Sequence, residues 1–442
     1  MNGNSVESTF ESLGLSEWIL KQCSQFGFHR PSPVQFNCIP AILNKKDVLA
    51  CAKTGSGKTA AFVLPILEDI SKDPFSIHTL VLTPTRELAS QIIDQFRLFG
   101  RVINLRASLI IGGLSRLEQT DELSQKPHVI VSTPGRLADL LLTYSDQIRL
   151  NAIRFLVIDE ADRLFVDNFF GQFGVIFKAL EGSNCTRQTL LFSATMTDTL
   201  EKLKSIAFSN SPDTIPDTLM TYREDIEELV PYTTVASLEE SYALVQIKLK
   251  DACLFITLKN FIKENPVSSV LVFTRTCKYC HVLYLMCRRM GISCLTLHSL
   301  ISQKQRLKSL ARFRAFEKRI LFATDVAARG LDLPTVDLVI NHNVPFLPKQ
   351  YIHRVGRTAR AGRCGKAITL VSQYEIDRVC KLEKKINKTL AKFEWNEKLA
   401  VEIMPELELI KSQLNLDLDQ GEFAERQRAR KNHKLKQAEN EF

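Results

Sequence analysis

Ala52-Lys53-Thr54-Gly55-Ser56-Gly57-Lys58-Thr59 lies between the strand-like Asp47-Val48-Leu49-Ala50 and the helical Ala60-Ala61-Phe62-Val63-Leu64. Strand, glycine-rich loop and helix in that order make a phosphate cradle. Glycines let backbone N–H groups turn inward on phosphate oxygens, Lys58 reaches the outer phosphates, and the Thr59 hydroxyl is placed for Mg²⁺ beside the helix dipole. Ala52 stands where the general P-loop pattern has its first glycine.

Working outward, short apolar runs recur: His78-Thr79-Leu80-Val81-Leu82, His128-Val129-Ile130-Val131, Phe155-Leu156-Val157-Ile158 and Thr189-Leu190-Leu191-Phe192. Helical patterns separate them, so the expected fold is α/β, built from right-handed βαβ units on a parallel sheet with ligands at the carboxyl ends of the strands. The grammar repeats in Val270-Leu271-Val272-Phe273, Ile320-Leu321-Phe322-Ala323 and Leu338-Val339-Ile340-Asn341. At 442 residues the chain is long enough for two such domains and a tail. The expected boundaries are 1–209 for the first domain, 210–237 for a solvated linker, 238–395 for the second domain and 396–442 for a charged extension. Within it, Ala424 to Ala438 holds Arg426, Arg428, Arg430, Lys431, Lys434 and Lys436 against Glu425, and reads either as an RNA-contacting or nuclear-targeting element or as a disordered, solvated tail.

Composition narrows the class only a little. A net charge of +9 suits a polyanion partner without establishing one. Met1-Asn2-Gly3-Asn4-Ser5-Val6-Glu7 lacks the basic start and apolar run of a secretory signal, and no apolar stretch approaches the roughly 20 residues of a membrane span. Eleven cysteines without paired spacing argue for a reducing compartment, cytosol or nucleus. Cys277-Lys278-Tyr279-Cys280-His281 matches a haem-attachment string, with Cys287, Cys294 and His298 nearby as zinc candidates. However, Cys280, Leu283, Tyr284 and Cys287 fall at i, i+3, i+4 and i+7, so they read as one apolar helix stripe, with structural cysteines.

The second half of a nucleotide-hydrolysing site should be acidic and close an apolar strand, as Asp159-Glu160-Ala161-Asp162 does after Phe155–Ile158. Asp159 would hold Mg²⁺, largely through water, and Glu160 would orient or deprotonate the attacking water. Here the chain resembles the DEAD-box RNA helicases of superfamily 2, whose own P-loop version, A-x-T-G-S-G-K-T, absorbs Ala52. The resemblance implies two RecA-like domains, each a parallel sheet with helices on both faces, joined by a linker. It also implies Ala52, Thr54, Gly55, Ser56, Gly57, Lys58 and Thr59 on ATP, with Lys58, Asp159 and Glu160 catalytic.

Further motifs follow from the same resemblance. Gly27-Phe28-His29-Arg30-Pro31-Ser32-Pro33-Val34-Gln35 is similar to the family's Q motif, in which Gln35 reads the adenine edge and Phe10 covers its face. Pro84, Thr85 and Arg86, Gly112 and Gly113, and Thr133 with Arg136 would contact the RNA backbone. So would Arg275, Gln303, Arg306 and Thr324 in the second domain. Asp332 would meet the ribose. Arg357 and Arg360, in His353-Arg354-Val355-Gly356-Arg357-Thr358-Ala359-Arg360, would act as arginine fingers, while Ser193 and Thr195 couple the halves through Asp162 and His353.

The expected activity is RNA-stimulated ATP hydrolysis with local unwinding of short duplexes or remodelling of RNA–protein complexes. An RNA clamp without productive unwinding and a DNA translocase are the rivals. Leu297-His298-Ser299-Leu300 and Phe273-Thr274-Arg275-Thr276-Cys277 resemble the compact nucleolar members of ribosome biogenesis, which implies pre-rRNA as substrate and a nuclear, nucleolar location. A spliceosomal or mRNA role is the competitor. A monomer is expected, without membrane attachment, and an activating protein cofactor is left open.

Overall fold

The structure is a computed structural model. It describes residues 9–52, 55–74, 76–145, 148–150, 152–166, 169–181, 187–193, 219–223, 237–328, 333–359 and 364–439. The chain divides into two compact units, Met1–Glu227 and Glu228–Phe442.

The first unit is built on seven strands: β1 (Asp47–Cys51), β2 (Thr79–Leu82), β3 (Ala107–Ile110), β4 (Val129–Ser132), β5 (Phe155–Ile158), β6 (Gln188–Ser193) and β7 (Leu219–Arg223). They lie in the order β3-β4-β2-β5-β6-β1-β7, every pairing parallel. The central strands β2, β4, β5 and β6 are buried along their whole length, which is why they read as unbroken apolar runs rather than as alternation. The edge strand β3 alternates half-buried and buried residues, so it carries no such run and escapes sequence inspection.

The second unit repeats the design with β8 (Leu238–Leu244), β9 (Val270–Thr274), β10 (Leu295–Leu297), β11 (Ile320–Thr324), β12 (Leu338–Asn341), β13 (Gly365–Val371) and β14 (Ala391–Lys392). Their order is β10-β11-β9-β12-β13-β8-β14, again all parallel. Residues of alternating register on these strands feed two buried clusters. One contains Val270, Val272, Ile320, Phe322, Leu338 and Ile340, the other Leu271, Phe273, Leu321, Ala323 and Val339. Period-2 alternation thus places helices on both faces of the sheet.

Two sequence expectations are corrected. The stretch read as a linker contains β7, which pairs with β1 from Asp47↔Leu219 to Cys51↔Arg223. Its residues are only half-buried or exposed, so they lack the apolar density by which a strand is recognised. The second domain, expected to end at residue 395, continues into the helix Glu397–Gln420, and the stretch from 424 to 438, for which disorder was one reading, lies in the helix Glu422–Glu439. Ala400, Leu407 and Leu414 of the first join the core of the second unit. Their spacing of seven is two helical turns, one apolar line diluted by exposed charge. Lys411 completes the attachment, donating to Asp251 Oδ2 at 2.6 Å.

The Cys277–Arg289 helix forms as expected, capped by Thr276 Oγ1, which accepts from Tyr279 N–H at 3.2 Å. Cys280, Leu283 and Cys287 are buried along it. Burial pushes the Cys280 thiol up to about 12, which makes it a packing group.

Candidate ATP site and RNA-facing edges

Because every strand of the first sheet points the same way, the segments that follow β1 to β6 collect at one edge. Strand order then sorts them. The P-loop follows β1, Asp159-Glu160-Ala161-Asp162 follows β5 and Ser193 ends β6, and these three strands are neighbours. Thr85, Gly112 and Thr133 follow β2, β3 and β4, the other flank of the same sheet. The nucleotide candidates and the RNA candidates are thereby separated along one edge.

On the nucleotide flank, Gly55 and Gly57 take φ of +86° and +94°. Only glycine adopts such values without strain, and the turn they make launches the Lys58–Lys72 helix. Lys58 Nζ donates to the carbonyls of Ala52, at 2.5 Å, and Ser193, at 3.3 Å, so its buried ammonium sits over the ends of β1 and β6. Asp159 is fully enclosed; burial first, then the neighbouring Glu160 charge, pushes its carboxyl up to about 7. Burial likewise raises Glu160, opposed by Arg163, whose Nη1 donates to Glu160 Oε2 at 2.5 Å. Glu160 itself holds φ of +50°, a strained setting for a side chain of its size. Desolvated carboxylates beside an ammonium and a P-loop are a site that gains from a divalent cation and a polyphosphate. The buried Ser56 hydroxyl has no hydrogen-bond partner among the described residues, an acceptor-seeking donor at the same loop.

Gln35, the residue expected on adenine, also makes bonds within the chain. Its Oε1 accepts from Ser32 N–H at 2.9 Å, closing a capping box, and its Nε2 donates to the Gly57 carbonyl at 3.1 Å. The amide therefore braces the P-loop. A Cβ on Gly57 would lie 2.4 Å from that Nε2, a second reason for glycine here. Phe10 is buried, 3% exposed, in the turn Phe10–Leu13. Thr54, Thr195, Asp332 and Arg360 lie outside the described residues.

On the other flank, Thr85 Oγ1 accepts from Leu88 N–H at 3.3 Å and caps the Arg86–Phe99 helix, while Thr133 precedes Pro134 at the start of another. Arg86 lies over Gly112, where a Cβ would come within 2.7 Å of its Nη2, and Arg136 Nη1 donates to the Leu114 carbonyl at 3.1 Å. Two guanidinium groups thus bracket the Gly112–Gly113 loop, with Gly113 at φ of +87°. Burial, partly offset by Asp139, lowers the Arg136 pKa, and Arg116 and Arg86 add like-charge repulsion. Clustered cations beside helix N-termini favour phosphate.

In the second unit Arg275 follows β9, Thr324 ends β11, and Gln303 and Arg306 open the helix Gln303–Arg314 after β10. The sheet order again makes these strands neighbours. Arg275 stacks over the exposed Phe346 ring, 4.8 Å to its centroid, and the buried Thr324 hydroxyl has no hydrogen-bond partner among the described residues. His353 lies exposed on the helix Pro348–Val355, and Arg357 is half-buried just after it.

Sequence reading missed Arg354. It is 3% exposed, paired in fork geometry with Asp325 at 2.6 and 2.7 Å, and bonded to Asn341 and the Asn343 carbonyl. Among closely spaced arginines it looks like surface charge, and only the packing distinguishes a strut from a finger. Arg163 was missed as well, though its i+3 spacing from Glu160 on a helix start is a usable signal.

Two RecA-like sheets, the first bearing a P-loop and a strand-end acid pair, define a two-domain nucleotide hydrolase. Residues 32–203 match the family model described as DEAD/DEAH box helicase, and residues 253–362 match the helicase conserved C-terminal domain. The human protein named "Probable ATP-dependent RNA helicase DDX49" is 48% identical over 427 residues, covering 96% of this chain and 86% of that protein. "ATP-dependent RNA helicase dbp8" of Schizosaccharomyces pombe is 40% identical over 434 residues, 97% and 93% of the two chains. The solved structure "S. cerevisiae Dbp5 bound to RNA and ADP BeF3" superposes with a TM-score of 0.69 at 26% identity, covering 92% of this chain and all of that one. The chain belongs to the DEAD/DEAH box helicase family and is an ATP-dependent RNA helicase.

Proposed function

We propose that the β1, β5 and β6 edge is where ATP is hydrolysed, and that the β2–β4 edge of the first unit and the β9–β11 edge of the second each bind RNA backbone. The observation that carries this is the convergence of Lys58, Asp159 and Glu160 at the ends of β1 and β5, the two neighbours of β6, with the acids' proton affinities raised by burial. Lys58 neutralises the outer phosphates. Ser56 and the P-loop amides bind their oxygens. Glu160, once released by Arg163, takes the proton of the attacking water. Thr59 and Asp159 are hard oxygen donors that fit Mg²⁺. That ion, when bound, supplies charge neutralisation on the phosphates, with water and ATP completing its shell.

Arg357 and Arg360 serve as arginine fingers, worth about 10³ to 10⁵ in rate where such groups have been measured. Asp332 holds the ribose, Phe10 and Gln35 the adenine, and Asp162, Ser193, Thr195 and His353 couple hydrolysis to RNA. The arginines that bracket Gly112–Gly113 and those near β9 read backbone, so substrate choice is indifferent to base sequence. Bending one strand removes it from an A-form partner. For biology we infer pre-rRNA processing in the nucleus, with a monomeric enzyme and a protein activator left to be identified.

The test is RNA-stimulated ATPase of Glu160→Gln, for which we expect loss of turnover with RNA binding retained. Unchanged turnover would refute the assignment. Strand release from a short duplex, with ATP against a non-hydrolysable analogue, separates a motor from a clamp.

A further inference from the structure

The second tail helix, Glu422–Glu439, is held by an aromatic clasp. Phe423 is 8% exposed, its ring 5.2 Å from that of His281 and 6.0 Å from that of His298. It shares a buried cluster with Val282, Leu300 and Leu418. The imidazoles are joined to each other, Nδ1 of His281 to Nε2 of His298 at 2.9 Å. Seven residues further, about 10 Å of helical rise, Arg430 Nη1 donates to Ser299 Oγ. Ser299 touches Cys277 Sγ at 3.2 Å. Ser299 follows β10 and Cys277 follows β9, so this turn of the helix stands at the C-terminal edge of the second sheet. Arg275, Gln303 and Arg306 belong to the same edge.

Beyond Arg430 the helix continues to Glu439, about 13 Å more. Its sequence there adds Lys431, Lys434 and Lys436 to Arg426, Arg428 and Arg430 of the preceding turns. A basic helix that served only for solubility would need no buried anchor at its start and no bond to a strand-end loop. Anchoring it costs conformational entropy that a fixed position for its charges would justify.

We propose that this helix extends the RNA track of the second unit, with Phe423 as the positioning residue and the cations beyond it as contacts to phosphates of the strand leaving the β9–β11 edge. The inference rests on the RNA-binding reading given above. Charge complementarity and continuity with Arg275, Gln303 and Arg306 both favour a nucleic-acid backbone as occupant.

The experiment uses the full chain and a fluorescein-labelled oligouridylate, with anisotropy measured across a salt series. Arg428→Gln, Lys431→Gln and Lys434→Gln combined should weaken binding at low salt at least roughly tenfold and lower the slope of log Kd against log salt by about 0.7 for each phosphate no longer neutralised. Phe423→Ala, which removes no charge, should move both quantities the same way, and Phe423→Leu should restore them. If the wild type binds no RNA, the RNA reading itself fails. If the wild type binds and the charge variant keeps its affinity and slope, only the helix assignment is overturned, and a protein becomes the occupant of the basic face. Tighter binding by Phe423→Ala would also overturn it, as the mark of a cover rather than a track.

Discussion

Arg354→Ala should destabilise the second unit by about 3 kcal/mol. The side chain ties the helix Pro348–Val355 to the end of β11 through Asp325 and to the end of β12 through Asn341 and the Asn343 carbonyl. It also covers the Phe273 ring, 5.3 Å from its centroid. Breaking a buried ion pair from one side costs about 3–5 kcal/mol, because the partner charge remains. The Asp325 side chain is 21% exposed, so water recovers part of that cost and the lower bound applies. With a urea dependence of about 2–3 kcal/mol/M for a domain of this size, the midpoint of the second unit's transition should fall by about 1–1.5 M. Far-UV circular dichroism during urea titration measures this, and the two units need not unfold together. Arg354→Lys keeps the charge but loses the fork, so it should fall between the two. ATP turnover should drop with stability, since His353 and Arg357 ride on the same helix and turn. A midpoint within about 0.2 M of wild type for Arg354→Ala would refute the reasoning.

Gly57→Ala places a Cβ 2.4 Å from Gln35 Nε2 at φ of +94°, so ATP affinity should fall and stability should drop by about 1–2 kcal/mol. Gly135→Ala, where no atom lies within 4 Å, should stay within about 0.5 kcal/mol, and nucleotide titration with thermal melts compares them. The His281–His298 pair makes stability depend on pH. Burial depresses the two imidazoles, to about 4 and about 3, and Leu300 N–H donates to His298 Nδ1, so the uncharged ring is the folded form. Below the ordinary histidine value of 6.5 the unfolded chain takes up protons that the folded one refuses, so stability present above pH 6.5 is lost as pH falls toward 4. At pH 5 the loss is about 2 kcal/mol for His298, and the difference in urea midpoint between wild type and His298→Gln should narrow on acidification. A difference independent of pH would contradict it.

The α/β class, the repetition of one strand-helix grammar and the family to which the P-loop and strand-end acids belong were legible from sequence, for a local reason. A phosphate cradle needs glycines, a lysine and a helix start in consecutive positions, and fully buried parallel strands are apolar without interruption. β3, β7, β10 and β14 escaped because edge or very short strands bury too little to carry that signal, while β8 is only partly buried and β13 opens on Gly365 and the exposed Lys366. Order in the sheets, and with it the separation of the nucleotide candidates from the RNA candidates, came only from the tertiary structure, because pairing partners are distant in the chain. The same holds for the strut role of Arg354, the bracing of Gly57 by Gln35, and the anchoring of the basic tail by Phe423. Each depends on which residues burial brings side by side, and burial is a property of the packed chain rather than of any segment within it.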